Sequence, residues 1–214
     1  MLRLGIIGAG GIASLHTHNI LSGKCPEVQL TAMADRKESR REWIRATVPD
    51  AAVFCEGSDL IASDTCDAVL IATPHYQHPT LAIEAFRHGK HVLCEKPIAG
   101  TLEEGEAFYR LVKGASSQVL VAHILRHNRT YQTAARLIGE GAVGRLSLMR
   151  MVQNHHAMDW PRYKRLMADC PPIVDCGVHY IDVMQWFSGS RVVEVSGVGC
   201  RLDADSGQDN YGMI

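Results

Sequence analysis

The segment Leu2-Arg-Leu-Gly-Ile-Ile-Gly8-Ala9-Gly10-Gly11-Ile12-Ala13 decides the fold of this 214-residue chain. A short apolar run ends in two glycines one residue apart, and a third small residue follows three positions later. In this G-x-G-x-x-G/A pattern the glycines permit a tight turn and close approach of a pyrophosphate, which the N–H groups of the next helix face. The segment therefore predicts a strand, a dinucleotide-binding turn and a helix. We assign cofactor contacts to Gly8, Gly10, Gly11 and Ile12.

A second apolar stretch, Val28–Ala34, is typical of a strand and ends at Asp35. About 20 residues beyond such a fingerprint, an acidic side chain accepts hydrogen bonds from a ribose hydroxyl. An Asp in this place can also serve as the N-cap of the next helix. Because the fingerprint precedes it, we favour ribose binding by Asp35 and NAD as the cofactor. The adjacent Arg36 can instead hold a 2′-phosphate, which keeps NADP as the alternative.

The composition excludes several classes of protein. The net charge is −1, and no basic block or aromatic-interleaved patch indicates a nucleic acid or an anionic membrane as partner. No apolar run approaches the ~20 residues that span a bilayer, and the N-terminus is typical of a strand, not a secretion signal. The seven cysteines include no C-x-x-C pair, which favours reduced thiols and a cytoplasmic location.

Alternating strands and helices continue to about residue 122 and predict an open, mostly parallel α/β sheet. Thr73–His78 and Glu95–Pro97 each follow an apolar strand, so both should lie at the carboxyl ends of the sheet, where such folds bind ligands. Lys96 is therefore a candidate proton donor or hydroxyl-binding group. The alternative is a surface lysine paired with Glu95.

Three stretches resemble the glucose–fructose oxidoreductase, inositol dehydrogenase and rhizopine-catabolism (Gfo/Idh/MocA) family: the glycine fingerprint, Ala72-Thr-Pro with His78, and Gly89-Lys-His-Val-Leu-Cys-Glu-Lys-Pro97. The resemblance implies a Rossmann domain over residues 1–122 and an α+β open-sheet domain for the substrate over 123–214. It also implies that Lys96 is the active-site lysine, often beside a cis peptide to Pro97. Side chains expected to line the nicotinamide are Thr73, Pro74, His78 and Glu95.

The second half of the chain supplies the other candidates. Arg126 stands where the family commonly has Arg-Phe-x-Pro, although His127 and Arg129 replace the aromatic residue and the proline. We assign substrate contacts to Arg126, His155 and His156, with one of the two histidines binding a hydroxyl. Leu146–Val152 alternates weakly and predicts the first strand of the second sheet.

If the segment around Asp175, His179 and Asp182 is helical, the three side chains share one face. A carboxylate one turn from an imidazole can orient the ring, as a general base requires when it takes an alcohol proton. A helix cap and a core histidine are the alternative from spacing alone. The resemblance identifies Asp175 and His179 as catalytic and Asp182 as structural. We expect no metal, because no His pair at i, i+4 occurs there.

Members of the resembling family are much longer than this chain, so we expect the second domain to be incomplete at its C-terminus. The family's homo-oligomers use that domain's sheet, and we do not expect them to form from this chain alone. The sequence predicts an NAD(P)-dependent dehydrogenase for a secondary alcohol or ketone of a sugar or polyol. An NAD-using glycoside hydrolase and a non-catalytic nucleotide sensor remain the alternatives.

Overall fold

The computed structural model describes residues 1–114, 116–153, 172–201 and 211–214. The chain divides into two compact units, Met1–Ala122 and His123–Ile214.

The first unit is built on a parallel sheet with its strands in the order β3-β2-β1-β4-β5-β6. The strands are β1 (Leu2–Ile7), β2 (Val28–Ala34), β3 (Ala52–Phe54), β4 (Ala68–Ile71), β5 (His91–Cys94) and β6 (Val119–Val121). This is the strand order of a doubly wound dinucleotide fold, in which the order reverses between the first and fourth strands. The predicted Rossmann sheet is confirmed.

Helices follow the strands in alternation. They are α1 (Gly11–Leu21), α2 (Glu38–Thr47), α3 (Gly57–Ala62), α4 (His78–Arg87) and α5 (Leu102–Val112), with a short 3₁₀ turn at His75–Gln77 before α4. The start of α5 is fixed by a reciprocal pair, in which Thr101 accepts from the Glu104 backbone N–H and Glu104 accepts from the Thr101 N–H. Two otherwise unpartnered donors of the first helical turn are satisfied in this way.

The central strands are buried on both faces. All of β4 is buried, with Val69 and Ile71 packing into the cluster that includes Leu60, Ala82 and Phe86 of the helices. Ala68 and Leu70 enter a separate cluster on the other side, together with Ala13 and Ile44 of α1 and α2. Successive side chains of a strand point to opposite faces, so a strand covered on both sides needs the continuous apolar run that the sequence shows.

The second unit contains helices and a small antiparallel sheet. Its elements within the described residues are a 3₁₀ turn at Ile124–His127, α6 (Arg129–Gly139), α7 (Pro172–Asp175), α8 (Gly177–Ser188), β7 (Val198–Cys200) and β8 (Tyr211–Met213). The segment Asp175–Asp182, for which the sequence left a helix as a condition, is helical except for a break at Cys176. Within the described residues, no helix is long and apolar enough to cross a membrane.

The predicted strand over Leu146–Val152 is absent from the structure. A strand is stabilised by its pairing with a neighbour, and β7 with β8 forms the only ladder among the described residues of this unit. Weak alternation of apolar side chains is therefore insufficient here.

Candidate active site

The glycine turn lies at the point where the strand order of the sheet reverses. Gly8 has φ +88°, and a Cβ at this position would lie 2.8 Å from the carbonyl oxygen of Ala72, after β4. Only glycine adopts this conformation readily and leaves room for that carbonyl. At Gly10, by contrast, a Cβ would meet nothing within 4 Å. The backbone at Gly10 thus faces open space at the N-terminus of α1, where a pyrophosphate binds in such folds.

Asp35 joins this turn to the end of β2. Its Oδ2 accepts the Ala9 backbone N–H at 2.8 Å, and its Oδ1 accepts the Lys37 N–H at 2.8 Å. Helix α2 begins at Glu38, with Lys37 at the N-cap position, so Asp35 lies two residues before the cap and closes an Asx turn. A carboxylate has about four acceptor sites. The acceptor sites that remain after the two backbone hydrogen bonds are enough to bind both hydroxyls of a ribose, so Asp35 fits NAD.

His78 connects the loops that follow β4 and β5. It is 1% exposed, with Nδ1 2.8 Å from the Pro97 carbonyl oxygen and Nε2 2.9 Å from that of Thr73. Both carbonyls favour the charged ring, but burial outweighs them and lowers the pKa of His78. The sequence placed His78 along the nicotinamide. The structure places it beneath the surface, between the backbone carbonyls of two site loops, and the neutral ring can donate to one of them.

Glu95 and Lys96 follow β5. The carboxylate of Glu95 is nearly buried and lies 3.1 Å from Nε2 of His16 on α1. A buried carboxylate is costly unless it is paired, so the pair fixes the residue before Lys96 against the helix that starts at the glycine turn. The Lys96–Pro97 peptide is cis, as the resemblance implied. Burial raises the pKa of the neighbouring Cys94 thiol to about 12, which disfavours the reactive thiolate.

Sequence analysis missed His16. The only indication in the sequence is its position. An imidazole on the second turn of the helix that follows a glycine fingerprint can reach the carboxyl ends of neighbouring strands in a parallel sheet. The partner, Glu95, lies 79 residues away in the chain. Nothing in the local pattern specifies that pairing.

In the second unit, Arg126 forms a two-pronged ion pair with Asp182. Its Nε and Nη2 each donate to one carboxylate oxygen at 2.8 Å, and the guanidinium lies 5.5 Å from the ring centre of Trp186. His123 is 3.9 Å from the same carboxylate, and burial lowers its pKa. Arg126, predicted to contact substrate, therefore has its guanidinium bound to α8 in this structure.

Asp175 ends α7, and His179 stands in the first turn of α8, where its backbone N–H donates to the Cys176 carbonyl oxygen. The two residues are four positions apart across the break at Cys176, and His179 shares α8 with Asp182. The Arg126–Asp182 pair anchors that helix one turn beyond His179. The other two substrate candidates, His155 and His156, lie outside the described residues. In the described ranges, no group of three or more potential ligands could hold a metal ion.

The model of an oxidoreductase family with an NAD-binding Rossmann fold matches residues 2–123, and the model of the GFO/IDH/MocA C-terminal domain matches residues 131–214. The chain belongs to the GFO/IDH/MocA oxidoreductase family. The family match confirms the sequence resemblance and NAD as the cofactor of the fold.

Several relatives are known by activity or structure. Inositol 2-dehydrogenase of Corynebacterium glutamicum strain R is 30% identical over 198 residues, which cover 91% of this chain and 56% of that enzyme. A crystal structure of myo-inositol 2-dehydrogenase from Lactobacillus plantarum has a TM-score of 0.91 at 25% identity, and the match covers 99% of this chain and 64% of the L. plantarum chain. The crystal structure of scyllo-inositol dehydrogenase from Lactobacillus casei, with bound NAD(H) and scyllo-inositol, has a TM-score of 0.87 at 25% identity, and the match covers 94% of this chain and 60% of the L. casei chain. The chain thus spans little more than half the length of the curated relatives it matches.

The two glycines of the turn should respond differently to the same substitution. Gly8→Ala places a methyl group against the Ala72 carbonyl at a positive φ, so we expect a fall in the thermal unfolding midpoint. Gly10→Ala meets no protein atom and should keep the wild-type midpoint, yet bind NADH at least about tenfold more weakly because the methyl group occupies the phosphate approach. Differential scanning fluorimetry and calorimetric titration measure both. Wild-type NADH affinity in Gly10→Ala would show that the phosphates do not lie there.

The buried His78 should make stability depend on pH. In the unfolded chain a histidine side chain binds a proton near pH 6.5. In the folded chain His78 binds that proton only at lower pH, because burial lowers its pKa. The free energy of unfolding should therefore fall as pH drops below about 6.5 and level off above it. Urea unfolding of the wild type and His78→Gln at about pH 7.5 and 5.5 should show a smaller loss in the variant. The exposed His18→Gln serves as control, and an equal loss in His78→Gln and wild type would contradict the assignment.

Proposed function

We propose that the protein is an NAD-dependent dehydrogenase that transfers hydride between the nicotinamide and a secondary alcohol or ketone of a polyol or sugar. The observation that carries the proposal is the pairing of the open phosphate approach at Gly10 with the Asp35 carboxylate, in an oxidoreductase fold. That arrangement fits a dinucleotide with a free ribose diol. The relatives named above are inositol dehydrogenases, which favours a cyclic polyol as the substrate.

The two units divide the work in this proposal. Residues 1–122 bind the cofactor and residues 123–214 contribute to the substrate site and to subunit contacts. Thr73, Pro74, Glu95 and Lys96 stand at or after the carboxyl ends of β4 and β5, which supports their place beside the nicotinamide. His78 supports the same surface from beneath, through its contacts with the backbone of Thr73 and Pro97.

Bound NAD supplies the chemistry of hydride acceptance at nicotinamide C4. Lys96 hydrogen-bonds the reacting oxygen and stabilises the negative charge that develops on it during oxidation. His179 accepts the hydroxyl proton, and Asp175 orients the ring and stabilises its charged form. Arg126 and Asp182 hold the helix that carries His179, so in this proposal Arg126 positions the base instead of binding substrate. His155 or His156 contacts a substrate hydroxyl.

We also propose that the protein functions in the cytoplasm, as its cysteine pattern favours. NAD is the preferred nucleotide because the Asp35 carboxylate can accept hydrogen bonds from a free ribose diol.

The test combines turnover with binding. Purified protein is assayed with NAD⁺ and a panel of inositols, sugars and sugar acids by NADH absorbance, and NADH affinity is measured by calorimetry. Lys96→Ala should lower kcat by about 10²–10⁴-fold while changing the NADH dissociation constant by less than about threefold. Lys113→Ala, an exposed lysine at the end of α5, is the matched control and should keep wild-type turnover.

Other outcomes identify the alternatives. Tight NADH binding without turnover of any panel member, by a folded protein, would indicate a nucleotide sensor. Cleavage of a glycoside in the presence of NAD⁺ without net NADH would indicate the hydrolase. Turnover that survives Lys96→Ala would contradict the role given to that lysine.

A further inference from the structure

Three arginines surround the end of β2: Arg36, Arg40 and Arg41. Two of them bind backbone carbonyls. Arg40 donates to the Ala9 carbonyl at 2.5 Å and to the Ser14 hydroxyl at 3.0 Å. Arg41 donates to the carbonyls of residues 35 and 36, both at 2.7 Å. Both guanidinium groups therefore stabilise the glycine turn and the end of the strand. If either moved to a new partner, the carbonyl oxygens that it now binds would lose their hydrogen-bond donor.

Arg41 also pairs with the carboxylate of Glu38 on its own helix. Arg36 differs from both, because among the described residues its acceptor is the carboxylate of Glu56 and not a backbone carbonyl. Its Nε donates to Oε2 of Glu56 at 2.8 Å, and the two side chains are 72% and 45% exposed. Glu56 is the N-cap residue of α3, immediately beyond β3. The Asp35 backbone N–H donates to the Phe54 carbonyl at 3.2 Å, so Glu56 stands at the same edge of the sheet as the ribose-binding carboxylate.

We propose that Glu56 is a specificity-determining residue that favours NAD over NADP by holding Arg36. The proposal rests on the proposed function, in which Asp35 binds the adenosine ribose. A 2′-phosphate on that ribose carries a charge of about −1.5 to −2 and needs a cation beside Asp35. The adjacent cation is occupied by Glu56, which also repels the phosphate. Arg40 and Arg41 cannot replace it because they hold backbone oxygens.

The Arg36–Glu56 ion pair can open, so we expect it to weaken NADPH binding without abolishing it. An exposed ion pair contributes little and is easily replaced by water or by another anion. A phosphate can therefore compete for Arg36, but it must displace a carboxylate that lies in reach. Removal of that carboxylate leaves Arg36 available in place. We expect discrimination to weaken by about tenfold, and not to reverse, because Asp35 remains.

The test measures nucleotide affinity, not activity. NADH and NADPH are titrated by calorimetry against the wild type, Glu56→Gln, the double variant Arg36→Ala/Glu56→Gln, and Glu106→Gln. Glu106 is an exposed carboxylate of α5 that pairs with Arg110, so its substitution removes the same charge and the same kind of pair elsewhere. The ratio of the NADPH to the NADH dissociation constant should fall about tenfold in Glu56→Gln. It should stay at the wild-type value in Glu106→Gln and return toward it in the double variant.

The outcomes separate this proposal from the proposed function. An unchanged ratio in a Glu56→Gln protein that still binds NADH would overturn the proposal and leave the dehydrogenase intact. An equal fall of the ratio in Glu106→Gln would overturn the proposal, because it would show that the loss of one negative charge anywhere on the protein has the same effect. A fall that survives in the double variant would show that Arg36 is not the phosphate ligand. Failure of the folded wild type to bind either nucleotide would overturn both proposals.

Discussion

The Asp35 carboxylate, which accepts one backbone N–H from the glycine turn and one from the residue before α2, is the contact on which the cofactor site depends. Because hydrogen bonds to a charged group contribute about 1.5–3 kcal/mol, the carboxylate can hold the Ala9 peptide in place beside the end of β2. Gly8 makes that placement sterically feasible, since any Cβ there would collide with the Ala72 carbonyl. The N-terminus of α1 is thereby aimed where a pyrophosphate binds.

Polar contacts between distant parts of the chain shape the rest of the site. The His16–Glu95 pair joins α1 to the end of β5, and His78 joins the loops after β4 and β5. Glu95 and His78 are buried polar side chains, and these contacts give them partners without which their burial would destabilise the fold. In the second unit, the partly exposed pair of Arg126 and Asp182 holds the helix that carries His179. The residues proposed for chemistry are thus held by neighbours that do not themselves react.

The sequence predicted what is determined locally. The Rossmann strands follow from apolar runs such as Val28–Ala34, and the turn follows from glycines whose spacing has a steric cause. Contacts between distant residues were not predictable, because the partners of His16 and Arg126 lie 79 and 56 residues away. The burial of His78 was not predictable either, because it depends on the position of the loop after β5, which contributes the Pro97 carbonyl. The strand expected at Leu146–Val152 did not form, because alternation describes a face and cannot provide a partner strand.

The role of Asp35 is tested most directly by the NADH affinity of Asp35→Ala beside that of the wild type, measured by calorimetry on samples whose thermal unfolding confirms that both are folded. We expect binding by the wild type and at least about tenfold weaker binding by the variant, which loses both the ribose acceptor and the bond to Ala9. Equal affinities in two folded proteins would contradict the role of Asp35. A folded wild type that binds no NADH would contradict the cofactor site as a whole.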